Sequence, residues 1–132
     1  MRASFDDFED TRNQRNGDWI ESEAELRELL HSFDGRAPFV FELRSESGLA
    51  LMAGFSESAC CAQIGSANGE PPYWMAVAQQ PIAGLQAFEF LCGGTLSPID
   101  GRLLLRPDAF FEITLCFLRT GHKSTAVEWA EI

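Results

Sequence analysis

Arg106-Pro107-Asp108-Ala109-Phe110-Phe111-Glu112-Ile113-Thr114-Leu115-Cys116-Phe117-Leu118-Arg119-Thr120-Gly121, followed by His122-Lys123-Ser124-Thr125-Ala126-Val127-Glu128-Trp129, is the stretch from which the fold is best read. Pro107 suits a first helical position, where the N–H it lacks would be unpaired in any case. Gly121 suits the left-handed residue that stops a helix. Between them Phe110, Ile113 and Phe117 fall on one side and Phe111, Leu115 and Leu118 on another. The spacing therefore predicts a helix over 107–120 that is buried on more than one face. A strand-like run follows and carries Trp129. Chain ends usually fray, so this succession predicts a docked terminus with Phe117, Gly121 and Trp129 as structural residues. Trp129 has a second reading as a partner anchor, because Trp is enriched at interface hot spots.

Working outward, Ser22-Glu23-Ala24-Glu25 has the form of a capping box. Leu26, Leu29, Leu30 and Phe33 then recur at helical spacing, so a first helix is expected over about 22–33, ended by Asp34-Gly35. Phe39, Phe41 and Leu43 alternate with Val40, Glu42 and Arg44, the period of a strand. Further strands are expected over 49–53, 59–64, 73–78, 85–92 and 102–105, with a short one at Trp19-Ile20. Gly93-Gly94 and Ser97-Pro98 read as turn residues. Residues 1–18 are polar and acidic, with Phe5 and Phe8 their only large rings, and read as an arm. The expected fold is α+β: a single domain over 19–132, with an antiparallel meandering sheet packed against two main helices.

A chain of 132 residues fits one domain, and 45% hydrophobic content with 11 Phe argues for a packed core over disorder. The net charge of −10, from 20 acids against 10 Lys and Arg, opposes direct nucleic-acid binding and attraction to an anionic membrane. A basic partner protein is the natural complement. Solubility alone is the simpler account.

The four cysteines form no C-x-x-C pair, and each lies in an apolar run. They read as free thiols in a reducing cytoplasm. The acidic start is unlike a secretory leader, and no apolar stretch approaches the ~20 residues that span a bilayer. His31 and His122 have no Cys or acid at metal-ligand spacing, so neither a metal nor a cofactor is expected. The serines lack a G-x-S-x-G setting. Cys60 or Cys61 could meet His122 in a Cys/His pair, but packing thiols are the favoured reading. Gly93-Gly94 suits a hairpin turn better than a phosphate loop. The chain is expected not to be an enzyme.

The order of features is similar to one family. An early helix rich in Glu and Leu precedes a run of strands, and the aromatic pair Tyr73-Trp74 follows a Gly-containing loop. An apolar helix with Phe117, then Thr120-Gly121, then Trp129 and Glu131 complete the set. This layout resembles the Imm1 immunity proteins of bacterial polymorphic-toxin systems, best over 107–132. Lys123-Ser124 departs from it, standing where the family commonly has a proline. The resemblance implies a cytoplasmic protein that binds a cognate toxin domain and occludes its active site. Some such toxins are nucleic-acid deaminases.

Contacts in that family vary with the toxin, so no binding residue is carried over. Charge points to Asp6, Asp7, Glu9 and Asp10 of the arm, and exposure of a loop points to Glu70, Tyr73 and Trp74. A solvated tail and buried strand aromatics are the alternatives for these two groups. The rival functions are a small enzyme that reverses a toxin's modification and a regulatory or adaptor domain.

Overall fold

A computed structural model describes residues 1–132. Along the chain run β1 (Ala3–Asp7), β2 (Trp19–Ile20), α1 (Glu23–His31), β3 (Phe39–Ser45), β4 (Leu49–Phe55), β5 (Cys61–Ser66) and β6 (Trp74–Ala76). Then come β7 (Ala87–Cys92), β8 (Thr95–Asp100), a 3-10 turn at Gly101–Leu103, α2 (Pro107–Thr120) and β9 (Trp129–Glu131). The sheet order is β2-β1-β3-β4-β5-β6-β9, antiparallel throughout. β7 joins β3 through one parallel pairing, Phe39 with Leu91, and carries β8 beside it.

Alternation along β3 divides the core in two. Phe39, Phe41 and Leu43 join Phe5, Leu51, Ala53 and Ile64 on the face covered by both helices. Phe33, just past α1, packs among the rings of Phe39, Phe41, Phe55 and Phe5, at centroid distances of 4.8 to 5.8 Å. Ser22 caps α1 by accepting from the Glu25 N–H at 3.1 Å. α2 begins at Pro107 and ends at Gly121, which has φ +73° and donates its N–H to the Phe117 carbonyl at 2.7 Å. A Cβ at Gly121 would also lie 2.6 Å from both Ser47 and Met1 side-chain atoms, so the site needs glycine twice over.

On the opposite face the β7–β8 hairpin lies over part of the sheet. Phe90, fully buried, sits above Gly54, where a Cβ would come within 3.0 Å of its ring. The hairpin turns on Gly93 and Gly94, both at positive φ, as a tight two-residue turn requires.

Both expected helices and the early strands are present, and the sheet dominates the α+β fold. Four expectations need correcting. Residues 1–18 do not form an arm: β1 lies between β2 and β3, with Ala3, Phe5 and Asp7 buried. Its outward positions, Ser4 and Asp6, made a buried strand look polar. Residues 95–100 are strand rather than turn, and Pro98 falls in β8. Residues 102–105 are not a strand, since a 3-10 turn leads to a lone bridge between Leu105 and Cys60. The meander holds only for β3 to β6, because β1 and β9 are added at its two sides. No helix is long and apolar enough to cross a membrane.

Candidate functional site

The hairpin leaves the rest of that second face open, and the strand register says what is displayed there. One row across the strands reads Trp19, Ser4, Arg44, Ala50, Gly65. The next reads Asp6, Glu42, Met52, Gln63. Four strand intervals of about 4.8 Å put Trp19 and Gly65 roughly 19 Å apart. Ala50 and Gly65 have almost no side chain, and a recess of about 210 Å³ opens over them.

Tyr73 walls the far end of the recess. Its ring stands against Gly65, where a Cβ would come within 3.2 Å, and its hydroxyl donates to the Gly69 carbonyl. Phe8 and Arg44 line the near side, and Trp19, 43% exposed, lies two strands beyond Arg44 on the same row, outside the recess. The Arg2 guanidinium stacks 3.9 Å from its ring and is held by Glu46 at 3.2 Å and Glu21 at 3.7 Å.

The electrostatics of the face centre on two carboxylates. Asp6 and Glu42 are direct partners across β1 and β3, and like charges in that relation oppose each other. Glu42 is buried and accepts from Arg44 Nε at 2.6 Å. That hydrogen bond, then the Glu42 charge, with a smaller contribution from Asp6, raises the Arg44 pKa, so the guanidinium is permanently charged. Asp6 is exposed and has no hydrogen-bond or ion-pair partner of its own.

The structure thus brings Asp6 and Tyr73 to one face. Glu70 is exposed on the turn that borders the recess, its N–H donating to Asn68 Oδ1 at 3.0 Å. Glu9 ties down the hairpin by accepting from the Gly94 N–H at 3.1 Å. Asp10 is exposed and accepts from the Arg12 N–H at 3.0 Å.

Asp7 cannot touch a partner. It is 1% exposed and receives Arg36 Nη1 at 2.7 Å, Asn13 Nδ2 at 3.0 Å and the N–H groups of Glu9 and Asp10. Burial alone would raise its pKa. The hydrogen bonds from Arg36, Asn13 and the Asp10 N–H, with the Arg36 charge, outweigh burial and hold it below its ordinary value. Trp74 also leaves the face: it lies on the helix side of the sheet, half-buried, with the Lys123 ammonium 3.9 Å from its ring.

Trp129 packs half-buried on the main core and donates its indole N–H to the Ser124 carbonyl at 2.8 Å. Cys60 and Cys61 are buried, and burial pushes both thiols up to about 12, so neither is a thiolate nucleophile at neutral pH. His31 lies 3.0 Å from Asp34 on the surface. No three His, Cys, Asp or Glu side chains converge to hold a metal ion. A second recess, about 510 Å³, runs between the helices, with Phe55 and Phe111 in its lining and Asp108 and Glu112 at its rim.

Sequence reasoning missed Trp19, Arg44, Met52 and Gln63 as site residues. The signal for them was pairing: once β1 is placed beside β3, Asp6 falls opposite Glu42 and the two rows follow. Across the chain, eight of the 20 acids have an Arg or His partner, Asp7 and Glu42 among them buried, and twelve have none, against four unpaired Lys and Arg. The chain matches no protein-family model and none of the curated proteins at a significant level.

Proposed function

We propose that this protein is a stoichiometric inhibitor, the cytoplasmic immunity partner of a bacterial toxin domain, and that the toxin is basic and acts on nucleic acid. The observation that carries the reading is the excess of twelve unpaired carboxylates over four unpaired cations on a folded, single-domain surface. A toxin that grips phosphate presents Lys and Arg, and an acidic cap competes for those groups while speeding encounter. The residue order shared with the Imm1 immunity proteins supports the same reading. Inhibition works by occupancy, so no catalytic group, metal or cofactor is assigned.

The experiment is copurification of the partner from the native host, then titration of the chain into that partner, with residual toxin activity as the readout. A blocker reaches its end point at one copy per toxin. Rescue by far less than one copy means turnover, and the protein is then an enzyme that reverses the toxin's modification. No binding and no rescue would leave a regulatory or adaptor role.

A further inference from the structure

We infer that the open half of the sheet, between Trp19 and Tyr73, is where the partner docks. The element it fits is a cationic segment that lays a Lys or Arg over Asp6 and Glu42. The inference rests on the inhibitor role proposed above and adds the surface and the chemistry of the contact.

Three observations lead there. First, the face carries Trp19, Tyr73 and Arg44, residue types enriched at interface hot spots, and Met52, a type enriched at interfaces, and beside Tyr73, Arg44 and Met52 the floor of Ala50 and Gly65 leaves room for an incoming side chain. Second, the free protein keeps Asp6 and Glu42 opposite each other with one cation between two carboxylates, and Arg44 is pinned to Glu42. A partner cation supplies the missing positive charge, which makes the face complementary to a basic surface. Third, the neighbouring positions add Glu70 at one end and Glu21 and Glu46 at the other, the last two already engaged by Arg2.

About 19 Å across the strands by about 10 Å along them gives on the order of 200 Å², against roughly 800 Å² per partner in a standard interface. The open half-sheet is therefore the centre of the contact, with the recess at one end of it. The flanking turns at 8–18 and 66–72 form its rim.

Asp6→Asn tests this against Asp108→Asn. Both remove one exposed acid that has no ion pair, the first on the sheet face and the second at the rim of the groove between the helices. Binding of each variant to the basic toxin partner copurified from the native host is measured by calorimetry, alongside thermal melts of the free proteins. Asp6→Asn should raise Kd by about tenfold or more without lowering the melting temperature, while Asp108→Asn stays within about twofold.

Trp19→Ala should weaken binding similarly, and Asp6→Asn carries the test if that variant melts early. Equal effects of Asp6→Asn and Asp108→Asn would show long-range charge and overturn docking at the face. Wild-type affinity in Asp6→Asn would overturn it as well, with the inhibitor role intact. A wild-type chain that binds no toxin overturns both.

Discussion

Removing the guanidinium of Arg36 should destabilise the region that the sequence alone presents as an arm. Asp7 is a buried carboxylate, and Arg36 is the only cation that reaches it, at 2.7 Å. In Arg36→Ala the carboxylate keeps the hydrogen bonds from Asn13 and from the N–H groups of Glu9 and Asp10, but its countercharge is gone. Breaking a buried pair costs about 3–5 kcal/mol. Arg36 is 28% exposed, so water partly replaces it and the low end applies. The ring of Phe39, 3.6 Å from the guanidinium, loses a cation–π contact worth about 0.5–1 kcal/mol. The expected loss is therefore about 3.5–4 kcal/mol, or roughly 10–18 °C in melting temperature for a domain of this size.

The sign of the pH dependence distinguishes charge from packing. In the wild type the Asp7 pKa is held below its unfolded value, so its contribution to stability is full at neutral pH and is lost as pH falls through the folded pKa. In Arg36→Ala burial remains without the cation, while Asn13 and the Asp10 N–H still donate, so the folded pKa should rise from its wild-type position. Acid then costs the variant less than it costs the wild type. Denaturant unfolding at pH 7 and near pH 4 should show the gap between the two proteins narrowing in acid. A gap of the same size at both pH values would mean that Arg36 acts through packing on Phe39 and that the ion pair is incidental.

Gly121→Ala should cost about 2 kcal/mol or more, because the new Cβ meets a positive φ and two side chains at 2.6 Å; a thermal melt decides it. Trp129→Ala should lower stability by about 2–3 kcal/mol in the free protein, less than for a fully buried ring, and an unchanged melt with lost toxin binding would reassign it to the interface. At neutral pH Cys60 and Cys61 should resist alkylation in the folded chain while half-buried Cys92 and Cys116 react first, as peptide mapping after a timed thiol pulse will report.

What was legible in the sequence was local. Pro107 and Gly121 bound α2 by their own backbone preferences, Ser22 and Glu25 start α1, and the alternation of β3 needs only its own residues. What was illegible depends on distant partners. Asp7 reads as a surface acid until Arg36, 29 residues away, is placed against it. The candidate site failed and succeeded by the same rule. A strand sends neighbours to opposite faces, so Asp6 displays its carboxylate while Asp7 buries its own, and Tyr73 and Trp74 likewise part company. Charge and aromatic content picked both members of each pair. Only the registers of β1 on β3 and of β6 on β5 could choose between them.

The sheet's edges give a further reason to favour its face as the docking surface. Pairing by strand addition needs a free edge with alternate N–H and C=O groups pointing outward. β2 offers two residues and β9 three, too few for a stable ladder. β8 is six residues long, but its two-glycine turn fixes which positions face out. Thr95, flanking the turn opposite Cys92, bonds back to β7, so Leu96, Pro98 and Asp100 face outward. The donation of Leu91 N–H away from β8, to the Pro38 carbonyl at 2.8 Å, agrees with that phase. Pro98 then removes the central outward donor, which explains how a proline is tolerated inside a strand and why this edge resists extension. A partner strand laid along β8 would lose its middle hydrogen bond, whereas one laid over Asp6, Glu42 and Arg44 would meet an open surface and an unanswered charge.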